Sequence, residues 1–231
     1  MVGGLSEPKR VGVLISGRGS NLRALIGATR RAGFPAEIVL VISNRPDAAG
    51  LGFAREAEIP ARVIDHKAFE GRPEFEQAMT GALEDAGVEI VCNAGFMRLL
   101  TAHFVEHWRD RQLNIHPSLL PAYPGLDTHE RVVADGTRIS GCTVHFVRLE
   151  MDAGPVVAQA AVAVATSDTA ETLAARVLAV EHRLYPHALE LVAGGHVRIV
   201  GERVVGVGGP REAVLFSPDL DALGRRDDPG R

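Results

Sequence analysis

Cysteine is scarce in this chain: only Cys92 and Cys142 occur among 231 residues, each inside an apolar run. That excludes a disulfide framework and a cysteine-rich zinc site, and it predicts a reducing compartment, the cytoplasm. An excess of basic charge is also missing. The formal net charge is -4 and the sequence pI is about 6.1. This argues against a nucleic-acid partner held mainly by phosphate contacts, whereas a phosphorylated small molecule needs only a local pocket. No apolar run approaches the roughly 20 residues needed to cross a bilayer, so no membrane partner is expected. The opening MVGGLSEPKR has no hydrophobic segment behind a basic start, and no signal peptide is expected. Nine histidines are present without H-E-x-x-H or related spacing, so no metal is expected either.

What is present, 46% hydrophobic and 23% charged residues, is the composition of a globular chain. Strand, loop and helix signals recur. RVGVLIS (10–16) stops at glycines, and Leu22, Leu25 and Ile26 then follow at helical spacing. AEIVLVIS (36–43) precedes a helical stretch from about Asp47, and ARVID (61–65) precedes another from about Pro73 to Ala86. VEIVCNAG (88–95) is nearly all apolar, which suits a parallel strand covered on both faces. The first half therefore reads as α/β with a parallel sheet. In the second half GCTVHFVRL (141–149) and PVVAQAAVAV (155–164) predict an antiparallel addition to that sheet. A long amphipathic helix from about Thr169 to Ala193 and two short strands, HVRIV and RVVGV, follow. One domain is expected over 1–208. The Gly-, Pro-, Asp- and Arg-rich residues 209–231 are expected to be a poorly ordered tail.

Gly17-Arg18-Gly19-Ser20-Asn21 falls between the first strand and first helix, where free backbone N–H groups and the helix dipole suit an anion. Ser20 or Asn21 is the expected helix cap. Leu22 occupies the third glycine position of a dinucleotide fingerprint, and the second strand ends Ser43-Asn44-Arg45 without the expected acid. A dinucleotide-dependent oxidoreductase is thereby disfavoured, and no Gly-Lys-Ser/Thr follows to make a P-loop. On its own the pattern also fits a plain strand-to-helix turn.

Gln112-Leu113-Asn114-Ile115-His116-Pro117 reads as a short strand ended by proline, with Asn114 and His116 on one face. At the carboxyl edge of a parallel sheet they would border the same crevice as the glycine loop. Acyl transfer to an amine needs donors aimed at the developing oxyanion and a group that moves a proton near neutral pH. An Asn amide and a His imidazole supply both. Asp152, in the Met-Asp-Ala-Gly-Pro turn, is expected beside the imidazole, orienting it and favouring its protonated form. On spacing alone the three also fit a structural histidine, a turn-forming Asn and an ordinary hairpin Asp. Neither cysteine is placed as a nucleophile, and His145, sharing an apolar run with Cys142, reads as a supporting or core residue. Glu181 has Val177, Leu178, Leu184 and Tyr185 three or four positions away, so it is either a buried acid that needs a partner or a surface acid at the stripe's edge.

Taken together, ISGRGSNL (15–22), NAGFMRLL (93–100), LNIHPSLLPAYPGLDTH (113–129), GCTVHFV (141–147), MDAGP (151–155) and VEHRLYP (180–186) resemble the phosphoribosylglycinamide formyltransferase family. The motifs stand in that family's order from about residue 10 to 200. The resemblance implies a mainly parallel, Rossmann-like sheet with antiparallel strands in the C-terminal half and helices on both faces. It implies transfer of a formyl group from 10-formyltetrahydrofolate to glycinamide ribonucleotide (GAR) in purine biosynthesis, by a monomer or homodimer needing no metal. Asn114, His116 and Asp152 would be catalytic. Gly19, Ser20, Asn21 and Glu181 would hold GAR. Arg72, Met97, Arg98, Leu99, Leu100, Asn114, Arg148 and Asp152 would contact folate. Relatives that deformylate the cofactor tend to have a second His where Pro117 stands, and those that formylate methionyl-tRNA tend to have Arg-Gly where Pro124-Gly125 stands. Both differences favour the ribonucleotide as acceptor.

Overall fold

The computed structural model describes residues 7–206 and Ser217. The expected tail, 209–231, lies outside the described residues except for Ser217. The anticipated βα alternation is present: β1 (Lys9–Ile15), α1 (Ser20–Thr29), β2 (Ala36–Ser43), α2 (Gly50–Glu56), β3 (Ala61–Val63), α3 (Arg72–Asp85) and β4 (Ile90–Asn93). Then come α4 (Ala102–His107), β5 (Gln112–His116), α5 (Thr128–Ala134), β6 (Ile139–Phe146), β7 (Val156–Ala163), α6 (Ala170–Ala193), β8 (Val197–Val200) and β9 (Arg203–Gly206). The helices α4 and α5 carry six and seven residues, too few for a periodic apolar stripe to stand out in the sequence.

Seven strands form one sheet in the order β3-β2-β1-β4-β5-β6-β7. The pairs from β3 to β5 are parallel, and β6 and β7 join antiparallel. The chain leaves β1 toward one edge through β2 and β3, then returns to pair β4 on the other side of β1. That reversal opens a crevice beyond the carboxyl ends of β1 and β4. Among the described residues the last two strands pair only with each other, as a separate hairpin.

Both faces of the sheet are covered, which accounts for the near-continuous apolar strands. On one face Val11, Val13, Ile15 and Val41 pack with Leu22 and Leu25 of α1, Val132 of α5, and Val177, Tyr185 and Leu189 of α6. On the other, Leu14, Ile42 and Val91 pack with Phe75, Met79 and Leu83 of α3 and with Phe104 and Trp108 around α4. The helix α6 starts on a capping box between Thr169 and Thr172 and runs on through Pro186. Fully buried, Tyr185 donates through Oη to the carbonyls of Asn93, at the end of β4, and Leu113, near the start of β5, tying α6 to both strands.

Candidate active site

A cavity of about 1450 Å³ opens at the carboxyl edge of the sheet. Its walls come from the glycine loop after β1, Asn44 to Asp47 after β2, Ala94 to Arg98 after β4, Asn114 to Pro117 from β5, Gly125 to Glu130, and Leu178 and Glu181 of α6. The site residues are thus assembled from strand ends spread over most of the chain.

At the first strand exit, Gly19 itself takes the N-cap position with φ 72°, and no side chain caps α1. This corrects the expectation that Ser20 or Asn21 would cap the helix. A Cβ on Gly19 would lie 2.5 Å from Gly50 Cα, so the left-handed turn and the close packing of α2 both require glycine. The N–H groups of the first turn are therefore not spent on a cap, which is the state an anion needs. Asn21 instead links two helices, because its Nδ2 donates to Glu181 Oε2 at 2.8 Å and so joins α1 to α6. Glu181 is buried, settling its alternative readings, and burial raises its carboxyl pKa against the opposing influence of the Asn21 bond and the His116 and Arg18 charges. Asn21 Oδ1 is buried beside it and has no partner among the described residues.

The second cluster sits on β5. Asn114 and His116 share one face as expected, and the antiparallel register sets His145 of β6 directly opposite Asn114. His145 Nδ1–H donates to the Phe146 carbonyl at 2.9 Å, which leaves Nε2 as the acceptor for Asn114 Nδ2–H at 3.3 Å. Burial lowers the His145 pKa, keeping the ring neutral for that role. Asp152 approaches from the β6–β7 connection, with Oδ2 3.3 Å from His116 Nδ1 and Oδ1 3.7 Å from His145 Nε2. It adopts φ 56°. Two residues on, a Cβ at Gly154 would lie 1.7 Å from the Phe146 carbonyl oxygen, so only glycine lets this turn fold against β6. The other His116 nitrogen, Nε2, donates to the Tyr123 carbonyl at 2.8 Å. Gly125 N–H donates to Asp152 Oδ2 at the same distance. Asn114, His116 and Asp152 therefore lie together. His145, read from the sequence as a supporting or core residue, takes the supporting place beside Asn114, and the structure adds the backbone of Tyr123 and Gly125, which no local sequence signal marks as partners.

The residues expected around folate are less uniformly placed. Met97 and Arg98 line the cavity, while Leu99, Leu100, Arg148 and Asp152 are not among its walls. Met97 and Leu99 expose 66% and 60% of their surface, unusual for apolar side chains in a loop beside a cavity. That loop is held from below by Ser16, whose Oγ accepts from Met97 N–H and donates to Asn44 Oδ1. Arg72 begins α3 and lines a smaller pocket of about 310 Å³ that shares His66 and Arg98 with the main cavity. Arg148 turns its guanidinium to Asp110 and Glu202, at 2.7 and 2.8 Å. A ligand contact from this residue would thus come from its backbone. The two cysteines are buried, and burial pushes both thiols up to about 12, which leaves them unreactive. Among the described residues no three His, Cys, Asp or Glu side chains cluster as a metal site, and no helix is long and apolar enough to cross a membrane.

Known proteins resemble this chain in sequence and in fold. Residues 9–189 match the family model described as formyl transferase. The bovine (Bos taurus) trifunctional purine biosynthetic protein adenosine-3 is 51% identical over 195 residues, 84% of this chain, although the chain spans only 19% of that protein's length. Phosphoribosylglycinamide formyltransferase of Escherichia coli is 41% identical over 187 residues, covering 81% of this chain and 88% of the relative. The crystal structure of glycinamide ribonucleotide transformylase 1 from Symbiobacterium toebii superposes with a TM-score of 0.85 at 44% identity, covering 89% of this chain and 96% of the other. The doubly covered sheet, the crevice at its switch point and these matches over most of the chain lead to one assignment: the chain belongs to the formyl transferase family, among its phosphoribosylglycinamide formyltransferases.

Proposed function

We propose that this protein transfers the formyl group of 10-formyltetrahydrofolate to the amine of GAR, giving formyl-GAR and tetrahydrofolate in purine biosynthesis. The observation that carries this reading is the pair Asn114 and His116 at the carboxyl end of β5, with Asp152 against His116 from the β6–β7 connection, where the pair lines the same cavity as an uncapped helix N-terminus. The N–H groups after Gly19, with Ser20, receive the substrate phosphate. Glu181, oriented by Asn21, takes the ribose hydroxyls or the amine. The exposed apolar Met97 and Leu99 and the backbone of the segment 97–100 meet the flat, largely apolar folate. Arg72 and Arg98 offer positive charge at the adjoining pocket for the cofactor's carboxylates.

The amine nitrogen attacks the formyl carbon, forming a C–N bond while the carbonyl π electrons move onto oxygen. Asn114 and His116 donate hydrogen bonds to that oxyanion. Because His116 Nε2–H is held by the Tyr123 carbonyl, Nδ1 is the nitrogen left to act, and it donates as part of the doubly protonated imidazolium, whose charge the Asp152 carboxylate faces and orients. Collapse breaks the bond from the formyl carbon to the folate nitrogen. The proton lost by the amine balances the one gained by that nitrogen. No covalent enzyme intermediate is needed, so the protein contributes positioning and oxyanion stabilisation. We read residues 1–208 as one formyltransferase domain working in the cytoplasm as a monomer or homodimer.

The deciding experiment is an absorbance assay of 10-formyltetrahydrofolate conversion with and without GAR. Turnover that requires GAR, reduced about 100- to 1000-fold in Asn114→Ala and Asp152→Asn with little change in either KM, is the expected result. GAR-independent turnover would make the protein a hydrolase instead, and near-normal Asp152→Asn turnover would remove Asp152 from the mechanism.

A further inference from the structure

The two catalytic side chains are held by the backbone of one short segment. Tyr123 O accepts from His116 Nε2 and Gly125 N–H donates to Asp152 Oδ2, each at 2.8 Å. The conformation that presents both atoms is costly, since Tyr123, Gly125 and Asp127 all have positive φ, at 54°, 81° and 53°, and two of the three are not glycine. A segment of this kind keeps its shape only if its surroundings determine it.

We infer that Arg131, on α5, is a positioning residue that holds the segment 123–126 in the shape that presents His116 and Asp152 to the substrate. Its Nη1 donates to the Pro124 carbonyl at 2.7 Å and to the Leu126 carbonyl at 3.3 Å. Its guanidinium lies 5.4 Å from the centroid of the Tyr123 ring, whose hydroxyl is anchored on Thr137 Oγ1 at 2.6 Å. One cation thus grips residues 123, 124 and 126, immediately around the two backbone atoms that touch the catalytic pair. Among the described residues no other side chain bonds to the Pro124 or Leu126 carbonyl, and no carboxylate pairs with Arg131. A planar guanidinium can stack on the ring and donate to carbonyls at once, which an ammonium cannot. A residue serving only to end α5 would interact with carbonyls of its own helix, yet both of these acceptors precede it.

This inference rests on the catalytic reading of His116 and Asp152, and its test separates the two. Arg131→Ala and Arg131→Lys are compared with wild type and with Asp152→Asn in kcat, in KM for each substrate, in the pH profile of kcat and in Tm. His116 is surrounded by Asp152, His129, His145 and Glu181, so the pH profile reports how that group of charges is held. The expected result for Arg131→Ala is a kcat about 10- to 100-fold lower, because a small misplacement of catalytic groups has an effect of this order. KM for GAR should change less than about twofold, the pH profile should shift, and Arg131→Lys should recover part of the loss. Wild-type kcat and pH profile in Arg131→Ala would overturn the inference. So would a loss of kcat that follows lowered Tm alone, with the pH profile unmoved. Should Asp152→Asn itself retain near-normal turnover, the catalytic reading beneath the inference falls first.

Discussion

Glu181 shows how one side chain can stand in a cavity wall at the expense of stability. Its carboxyl is buried on α6, and burial raises its pKa. For a group whose folded pKa lies above its unfolded value, the folded state gains at pH below the unfolded value and loses that gain as pH rises through the folded one. At neutral pH the buried charge therefore weighs against the folded apo protein, while a donor-rich ligand gains from it. Glu181→Gln keeps an acceptor for Asn21 Nδ2 and removes the charge. It should raise the apo Tm at pH 7 to 8 by about 2–4 °C, the shift that roughly 1 kcal/mol produces in a chain of this size. It should also raise KM for GAR about tenfold or more. In wild type KM for GAR should climb as pH falls through the Glu181 titration, and this limb should vanish in the variant. A variant with unchanged KM and an unchanged pH limb would show that Glu181 does not touch the ribonucleotide. At the same scale His145 explains the direction of the Asn114 amide, since a neutral ring that donates through Nδ1 can only accept at Nε2.

Among the elements, α6 carries the most constraints, because it supplies Glu181 to the cavity, Tyr185 to the backbone of β4 and β5 and much of one core face. Its start is secured by Asp168, which accepts from Ala165 N–H and Thr172 Oγ1 and receives both Arg176 Nη atoms, at 2.6 and 2.8 Å. The Arg176 bonds hold its carboxyl far below the usual carboxylate range. A depressed folded pKa contributes stability that is present above the unfolded value, near 4, and is lost as pH falls through the folded value. Losing this charge-assisted pair in Asp168→Asn should cost about 1.5–3 kcal/mol and lower Tm by about 3–12 °C at pH 7. Thermal scans from pH 7 downward should show the difference between the two proteins shrinking below about pH 4. A difference that stays constant over that range would mean that the ion pair contributes nothing. The β8–β9 hairpin acts on another element, because Glu202 between its strands receives Arg148 and Arg109 and so engages the start of the turn that carries Asp152.

Over the whole molecule, the two subsites lie on strand ends that only the sheet brings together, so ligand binding should register as global stability. A ligand at 100 times its Kd adds about 2.7 kcal/mol. GAR at that concentration should therefore raise Tm by about 5–10 °C. Gly19→Ala places a Cβ against Gly50 Cα in a left-handed turn. It should lower the apo Tm and abolish most of the GAR-dependent rise, whereas a full rise in this variant would move the phosphate away from the glycine loop. Thermal scans with GAR, with inorganic phosphate and with neither make the comparison.

Much of this was legible in the sequence. The strands β1, β2, β4 and β5 announced themselves as short apolar runs ended by glycine or proline, and α6 by its long amphipathic stripe, since both signals are local and periodic. Asn114, His116, Asp152 and the glycine loop could be named for the same reason, since each sits at a turn or strand end that the residues themselves encode, and Glu181 because it interrupts the apolar stripe of α6. Other features had no local signal. The left-handed cap falls to Gly19 rather than Ser20 or Asn21 because α2 packs against it. Arg148 is drawn to Asp110 and Glu202, residues 38 and 54 positions away. The short helices α4 and α5 are too brief for periodicity and are held by what they pack on. The partners of Asn114 and His116 are likewise set by long-range geometry, His145 by antiparallel register and the Tyr123 carbonyl by a turn that Arg131 grips from the following helix. The sequence determined which chemical groups stand at the strand ends, because patterning and turn chemistry act between near neighbours. Tertiary structure alone decided which of those groups meet, because strand order and register join residues whose separation along the chain carries no record of the contact.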